Sequence, residues 1–438
     1  MHWTPSNYKS VRTSYSKLTN AIAIKPRAEL IFTEQGIGRV LWTPIISHVD
    51  IPSCNCSHMD GYVVNYNDIK RISQRGPMTL RVEPRIKDVK GKKQSLQRGR
   101  TFRVSTGEAL PPLGDTVVPV EYTLFDTKEG TILVQRELTK GSFVSCKGSE
   151  IARKDVILNK GHILRAQDLA LVSMLGIKKL KIFKRPTVAI IPTGSELSEE
   201  IDDIKRGKIL NTNSRVISNL IETSGGVTLD LGITPDNIHS IKNKIRAALS
   251  KSDIILTTGG SSVGLRDLVA ESIDEIGKPG VLVHGIKLDR GRVTGLASLR
   301  SKPVIILPGP IQGAVNAFIV FAQPIIRFML GLHPYTKPFI SAKLTNDWNA
   351  RKKFHDFTKI VYVKMSRSAS GEFHASPVTG ETTDITVLTE SNGFILVPER
   401  LTMLKKGQEV KINIFPGLSF SSGNLGFPYQ SKNTFFPF

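Results

Sequence analysis

Short apolar runs of strand length, each closed by a glycine-containing turn, dominate the middle of the chain: VAII at 188–191, DIIL at 253–256 and VIIL at 304–307. Residues at helical spacing follow each run. Between the first two, Ile238, Ile241, Ile245 and Leu249 recur at the three- and four-residue intervals of one helix face, and Gly225-Gly226 stops the preceding helix. Strands alternating with helices predict a mainly parallel sheet covered on both faces.

The flanks carry a different pattern. Over 60–146 short β-like runs, LRVEP, TFRV, TVVPVEY and TILVQ, are separated by polar turns, which predicts a small β-rich module. Over 147–185 the pattern predicts a helix at about 166–175 ended by Gly176, then a basic strand. Residues 336–415 read as β-rich again, with KIVYVKM, GFILVPE and EVKINIF. The stretch 416–438 is rich in Ser, Gly, Pro and Phe with almost no charge, and reads as a mobile or surface-docked tail. Inside HMDGYVV, 58–64, Asp60-Gly61 taken alone reads as a turn before a strand opened by Tyr62.

Composition narrows the classes. A chain of 438 residues is long enough for about three domains with real cores. Sixty Lys plus Arg against 38 Asp plus Glu leave a formal charge of +22, which permits an acidic ligand, a nucleic acid or an anionic surface. Aromatics are only 7% and are not interleaved with the basic residues, so a stacking platform for nucleic acid is disfavoured. Cys54, Cys56 and Cys146 cannot form a disulfide framework, and the N-terminal region lacks a signal-peptide core, so a reducing cytoplasm is expected. Cys54 and Cys56 lack a second ligand pair at metal spacing and read as packed thiols. The apolar stretch 313–332 contains Asn316, Gln323, Pro324 and Arg327, so it reads as a buried or interface helix and no membrane is expected.

Three strand ends carry the candidate chemistry: PTGSEL at 192–197, TTGGSSVGLRD at 257–267 and LPGPIQG at 307–313. Turns leaving the carboxyl ends of parallel strands lie along the edge where ligands bind, so the three should converge. Gly259 and Gly260 permit close backbone approach, and the amides beyond them can face an anion. Glu196 and Asp267 beside such a site suit a divalent cation held by carboxylates and phosphate. Asp236 is the third acid. Asp236 and Asp267 read equally well as helix-start residues, and Glu196 as a solvated loop acid. The sequence lacks a Ser/His/Asp order, a P-loop and a dinucleotide fingerprint, so hydrolysis by a nucleophilic triad and hydride transfer have no support.

SHMDGYVV (57–64), VSTGEALPPLGDTVVPVE (104–121), IPTGSEL (191–197), the Asn213 and Asp236 segments, TTGGSSVGLRD and ILPGP together resemble the molybdopterin molybdenumtransferase family, MoeA and the E domain of gephyrin, in the archaeal or bacterial style. The likeness runs in order over about 30–415. It implies a fold that is α/β plus β and multi-domain: a central doubly wound, mainly parallel α/β domain of the molybdopterin-binding type (186–335), a β-rich inserted domain (54–146), a split extended linker domain (1–53 and 147–185), a C-terminal β-barrel-like domain (336–415) and the tail. It further implies a homodimer that inserts molybdate or tungstate into adenylylated molybdopterin with release of AMP and with Mg²⁺. A molybdopterin adenylyltransferase would hand over the substrate.

Carried over by position, Asp60, Thr106, Glu196, Asp236 and Asp267 match catalytic positions, and Glu196 and Asp267 would hold the metal. Gly194, Asn213, Gly259, Gly260, Ser262, Gly264, Lys287, Gly291, Arg292, Pro308 and Gly309 would contact substrate. Departures cluster on the anion side. Arg290-Gly291-Arg292-Val293 stands where the family reads Pro-Gly-Lys-Pro, Pro310-Ile311 replaces Asn-Pro, and Glu108 replaces a small residue. Lys287 is then the one basic residue expected on its strand face. These departures motivate an alternative, a non-catalytic molybdopterin-binding or scaffolding paralogue.

Overall fold

A computed structural model of the protein describes residues 8–84, 94–259, 267–334, 339–368 and 370–415. Gly260, Ser262, Gly264 and the tail at 416–438 lie outside the described residues. The chain separates into two compact units, one made of Ile31–Ile37 and Thr43–Leu180, the other of the remainder.

The first unit contains a six-stranded sheet. Its strands are β1 (Gly61–Val64), β2 (Met78–Glu83), β3 (Arg100–Val104), β4 (Thr116–Pro119), β5 (Thr123–Asp126) and β6 (Thr131–Val134), in the order β4-β1-β3-β2-β6-β5. Alternation within β1 sends Tyr62 and Val64 into one cluster with Leu80 and Val118, and Val63 into another with Phe102 and Val117. The strand is therefore buried on both faces. Gly61 opens it for a reason the sequence does not display: a Cβ there would lie 2.2 Å from the Val118 carbonyl oxygen of β4. Close strand approach, rather than a turn, requires this glycine. Beyond the sheet, Ile45–Ile46 pairs antiparallel with Val156–Leu158, Ile51 bridges Ile151, and Cys56–Ser57 pairs with Val144–Ser145. The chain thus enters and leaves the β module along neighbouring segments. A helix at Ala166–Met174 follows.

The second unit is built on strands β7 (Thr187–Pro192), β8 (Val227–Asp230), β9 (Ile254–Thr258), β10 (Pro279–His284), β11 (Gly295–Leu299) and β12 (Lys302–Leu307), in the order β8-β7-β9-β12-β11-β10. The first four are parallel, and β11 and β10 are added antiparallel. Two-residue periodicity sends Val188, Ile190, Ile305 and Leu307 to one face, where they meet Ile217 and Ile221 and the run from Ala314 to Met329. Ala189, Ile191, Val304 and Ile306 go to the other face, against Ile241, Ile245, Val269 and Ile273. Each Val, Leu or Ile side chain so buried stabilises by about 1.5–3 kcal/mol. Helices therefore cover both faces.

The helical run Ile311–Met329 is the one described segment long and apolar enough to cross a membrane, and 72% of it is buried inside the protein. Its buried Asn316 accepts a hydrogen bond from the Tyr362 hydroxyl at 2.6 Å. A core helix is what the polar residues within it require. The C-terminal strands β13 (Phe339–Leu344), β14 (Lys359–Arg367), β15 (Phe373–Pro377), β16 (Gly393–Val397) and β17 (Glu409–Ile414) close into a barrel in the order β13-β15-β14-β16-β17. Closure leaves no free edge in that five-stranded sheet.

Candidate functional site

Strand register decides where the three glycine turns lie. Pro192 at the end of β7 pairs with Thr258 at the end of β9, which pairs with Leu307 at the end of β12. The turns PTGSEL, TTGG and LPGP therefore leave adjacent strands at one level. Thr193 donates its amide to the Thr258 carbonyl at 2.8 Å. Gly259, at φ +82°, has Thr193 so close that a Cβ would lie 2.2 Å from the Thr193 carbonyl oxygen. Only glycine joins these two turns without strain.

The acids enter from separate elements. Asp236 Oδ2 accepts the Ser195 amide at 2.8 Å, and Ser195 Oγ accepts the Asp236 amide at 3.1 Å. The reading of Asp236 as a helix cap misses by one residue, because Asn237 caps the helix Ile238–Lys251 by accepting the Ser240 amide. Asp236 is left to lock the PTGSEL turn. Within that turn the Glu196 carboxylate lies back over Gly194, where a Cβ would be 2.5 Å from Oε1. Lys208 donates to the Ser195 carbonyl at 2.6 Å. Asn213, in the helix Thr212–Thr223, donates to the Gly309 carbonyl at 2.6 Å and so ties that helix to the LPGP turn. Gly309 is exposed, with open space where a Cβ would be. Pro308 is buried beneath it, close against Gly313.

Asp267 caps the helix Leu268–Ile276: Oδ1 accepts the Ala270 amide at 2.9 Å, while Oδ2 lies 2.8 Å from His284 Nε2 at the end of β10. Capping leaves acceptor capacity on this carboxylate, since each oxygen has two acceptor positions. His284 and Lys208 were not singled out in the sequence. Their partners stand 17 and 13 residues away, beyond the reach of local pattern.

The residues expected on the anion side are engaged within the chain. Lys287 lies beyond the end of β10, not on a strand face, and is paired with Asp356 at 2.5 Å. That ammonium holds the Asp356 carboxyl below its ordinary range. The two variant segments meet each other, since Arg290 donates to Gln312 Oε1 and to the Gly380 carbonyl, and Gln312 donates to the Asp384 carbonyl at 2.9 Å. Gly291 is buried against Leu288, and Arg292 is exposed.

In the other unit Asp60 and Thr106 are brought together. Asp60 Oδ1 accepts the Thr106 amide at 2.6 Å and the Thr106 hydroxyl at 3.0 Å, because β1 and β3 pair Gly61 with Val104 just inside. The two bonds from Thr106 hold the exposed Asp60 carboxyl below its ordinary range. Glu108 accepts the Ser105 amide at 2.9 Å, so this departure closes its own turn.

Three family models match in order: the MoeA N-terminal region (domain I and II) over residues 9–176, a probable molybdopterin binding domain over 189–327, and the MoeA C-terminal region (domain IV) over 341–415. The chain belongs to the MoeA family. The molybdopterin molybdenumtransferase of Staphylococcus epidermidis is 26% identical over 387 residues, 88% of this chain and 91% of that one. A molybdopterin biosynthesis protein of Methanocaldococcus jannaschii is 28% identical over 407 residues, 91% and 95% of the two chains. The MoeA protein of Pyrococcus horikoshii superposes with a TM-score of 0.80 at 28% identity, over 94% of this chain and 100% of that one. MoeA membership places this protein among the transferases of molybdenum cofactor biosynthesis.

Proposed function

We propose that this MoeA-type transferase inserts molybdate, or tungstate, into adenylylated molybdopterin and releases AMP in a Mg²⁺-dependent reaction. The observation that carries the reading is the common level of three glycine turns on one sheet edge, with Glu196, Asp236 and Asp267 set around them. Glu196 and Asp267 are the acids this reading assigns to a divalent cation: Glu196 makes no side-chain bond among the described residues and Asp267 retains acceptor capacity, while no group of three or more ligating side chains stands together among those residues. When bound there with phosphate oxygens, Mg²⁺ would neutralise charge on the adenylate phosphate. Asp236 holds the PTGSEL turn in place, and Gly309 leaves room for a ligand to approach the backbone. Exposed Arg292 supplies a cation for an oxyanion.

The protein acts as a homodimer in the cytoplasm, with Asp60 and Thr106 of one subunit serving the α/β site of the other, and receives substrate from a molybdopterin adenylyltransferase. AMP release from adenylylated molybdopterin with Mg²⁺ and either oxyanion tests the reaction. Asp60→Asn and Asp236→Asn homodimers should each be inactive, and subunit exchange between them should restore activity. Failure to restore it removes the shared site.

A second reading, a non-catalytic molybdopterin-binding scaffold, is favoured by the engagement of Lys287 with Asp356 and of Arg290 with Gln312. Tight molybdopterin binding without AMP release would establish it.

A further inference from the structure

The inserted β module contains a concave site that the reaction above does not use. It opens beside Asn65 at the far end of β1 from Asp60, ~16 Å away at 3.3 Å per strand residue. The cleft has a volume of about 810 Å³. Pockets for small molecules are of this size.

Its charge is one-sided. Lys70, Arg71, Arg75 and Arg98 line it against one carboxylate, Asp68. Arg75 donates its amide to the Arg71 carbonyl at 2.8 Å, so the two arginines stand one helical turn apart on the same face. Neither forms an ion pair or a side-chain hydrogen bond among the described residues. Asp68 is already engaged, since Oδ2 accepts the Gly99 amide at 2.9 Å and Oδ1 lies 3.6 Å from Arg98. Through these contacts it fastens the helical bank to the Arg98 bank. Elsewhere Arg27, Arg39, Lys147, Arg185 and Lys242 are matched by acids. Here, among the described residues, four cations face the one carboxylate Asp68 around a depression.

Beneath the cations Met78 adds an apolar patch, backed by the buried Leu80 and Leu96, to a lining that is otherwise mostly polar. Guanidinium groups bind phosphate oxygens in bidentate fashion, and an apolar patch suits a flat ring. The lining contains no Phe, Tyr or Trp on which successive bases of a strand would stack, which disfavours single-stranded nucleic acid. We propose that this cleft binds a phosphorylated heterocycle of nucleoside diphosphate size, its phosphates on Arg71 and Arg75 and its ring over Met78. The site is separate from the proposed α/β centre.

Calorimetry of the full-length protein with ADP tests it. The wild type should bind ADP at a site that survives Asp236→Asn but weakens at least about tenfold in Arg71→Gln/Arg75→Gln, the loss of ~1.4 kcal/mol. The double variant should keep its melting temperature and its rate of AMP release. Unchanged ADP stoichiometry and affinity in the double variant overturn the assignment. So does displacement of ADP by sulfate at equal concentration and ionic strength, or RNA binding that strengthens with strand length and displaces ADP.

Discussion

Asp267 Oδ2 lies 2.8 Å from His284 Nε2, while its other oxygen caps the helix that begins at Leu268. The side chains are 11% and 6% exposed, so the carboxylate is fixed by two neighbours on two different elements. Such an arrangement places a negative charge with little freedom to move, as a group that supports a bound cation must be placed.

Asp267→Asn separates capping from charge. The asparagine oxygen can still accept the Ala270 amide, so the helix start survives and the melting temperature should change little. AMP release at saturating Mg²⁺ should fall at least about a hundredfold, ~2.7 kcal/mol of barrier. A variant retaining more than about a third of the wild-type rate would remove Asp267 from the metal role and leave it a helix cap.

Thr106→Val probes the second corner. The substitution removes the hydroxyl bond to Asp60 at 3.0 Å and keeps the amide bond at 2.6 Å. Because both bonds lower the Asp60 pKa, losing one should raise its titration midpoint toward the ordinary carboxylate value. Carboxyl NMR against pH reads this directly. A depressed pKa means that the stabilising contact is present above the unfolded-state value and is lost as pH falls through the folded one. An unchanged midpoint would show that the amide alone sets the charge of Asp60.

How much of this was legible depends on the distance over which each feature is encoded. VAII, DIIL and VIIL announce their strands locally, and the turns after them follow in the sequence, so the sheet edge could be read before its register was seen. The barrel strands KIVYVKM and EVKINIF were legible for the same reason. Gly61 was not, because its role is set by a carbonyl on β4, 57 residues downstream at Val118. Likewise the pairing of Lys287 with Asp356 and of Arg290 with Gln312 joins residues 69 and 22 positions apart. Such long-range side-chain pairs depend on register and packing, and local periodicity carries neither.

Asp168 offers a stability test away from the sites. It is 4% exposed, accepts from the Arg165 guanidinium at 2.9 and 3.0 Å, and lies 2.7 Å from His162 Nε2. Arg165 first, and His162 with it, hold its carboxyl well below the ordinary range despite burial. The contribution is therefore present above the unfolded-state pKa of about 3.9 and is lost as pH falls further. Asp168→Asn should destabilise at pH 7 by about 1–3 kcal/mol, since charge-assisted bonds are lost from a buried position. The variant should also lose part of the stability decline below about pH 4. Denaturant midpoints from pH 7 to pH 2.5 measure both, and parallel curves for the two proteins would contradict this account.

Two glycines on the same sheet edge should respond in opposite ways to one added methyl. Gly259 has φ +82°, and a Cβ would lie 2.2 Å from the Thr193 carbonyl oxygen, a backbone atom of the residue whose amide bonds Thr258. Left-handed backbone for alanine costs ~1–2 kcal/mol, and overpacking adds ~1–3 kcal/mol. Gly259→Ala should thus lose roughly 2–5 kcal/mol of stability. Gly309 is exposed, and nothing lies within 4 Å of the place where a Cβ would be. Gly309→Ala should fold as well as the wild type or gain ~0.4–1 kcal/mol through the unfolded chain. Its cost should fall on the ligand, because the methyl occupies the space through which substrate approaches the LPGP backbone. The expected result is a KM for adenylylated molybdopterin raised at least about tenfold, ~1.4 kcal/mol, with an unchanged denaturant midpoint. Wild-type KM in Gly309→Ala would mean that substrate does not approach the backbone at this turn, and the edge defined by β7 and β9 would have to supply the phosphate contacts alone.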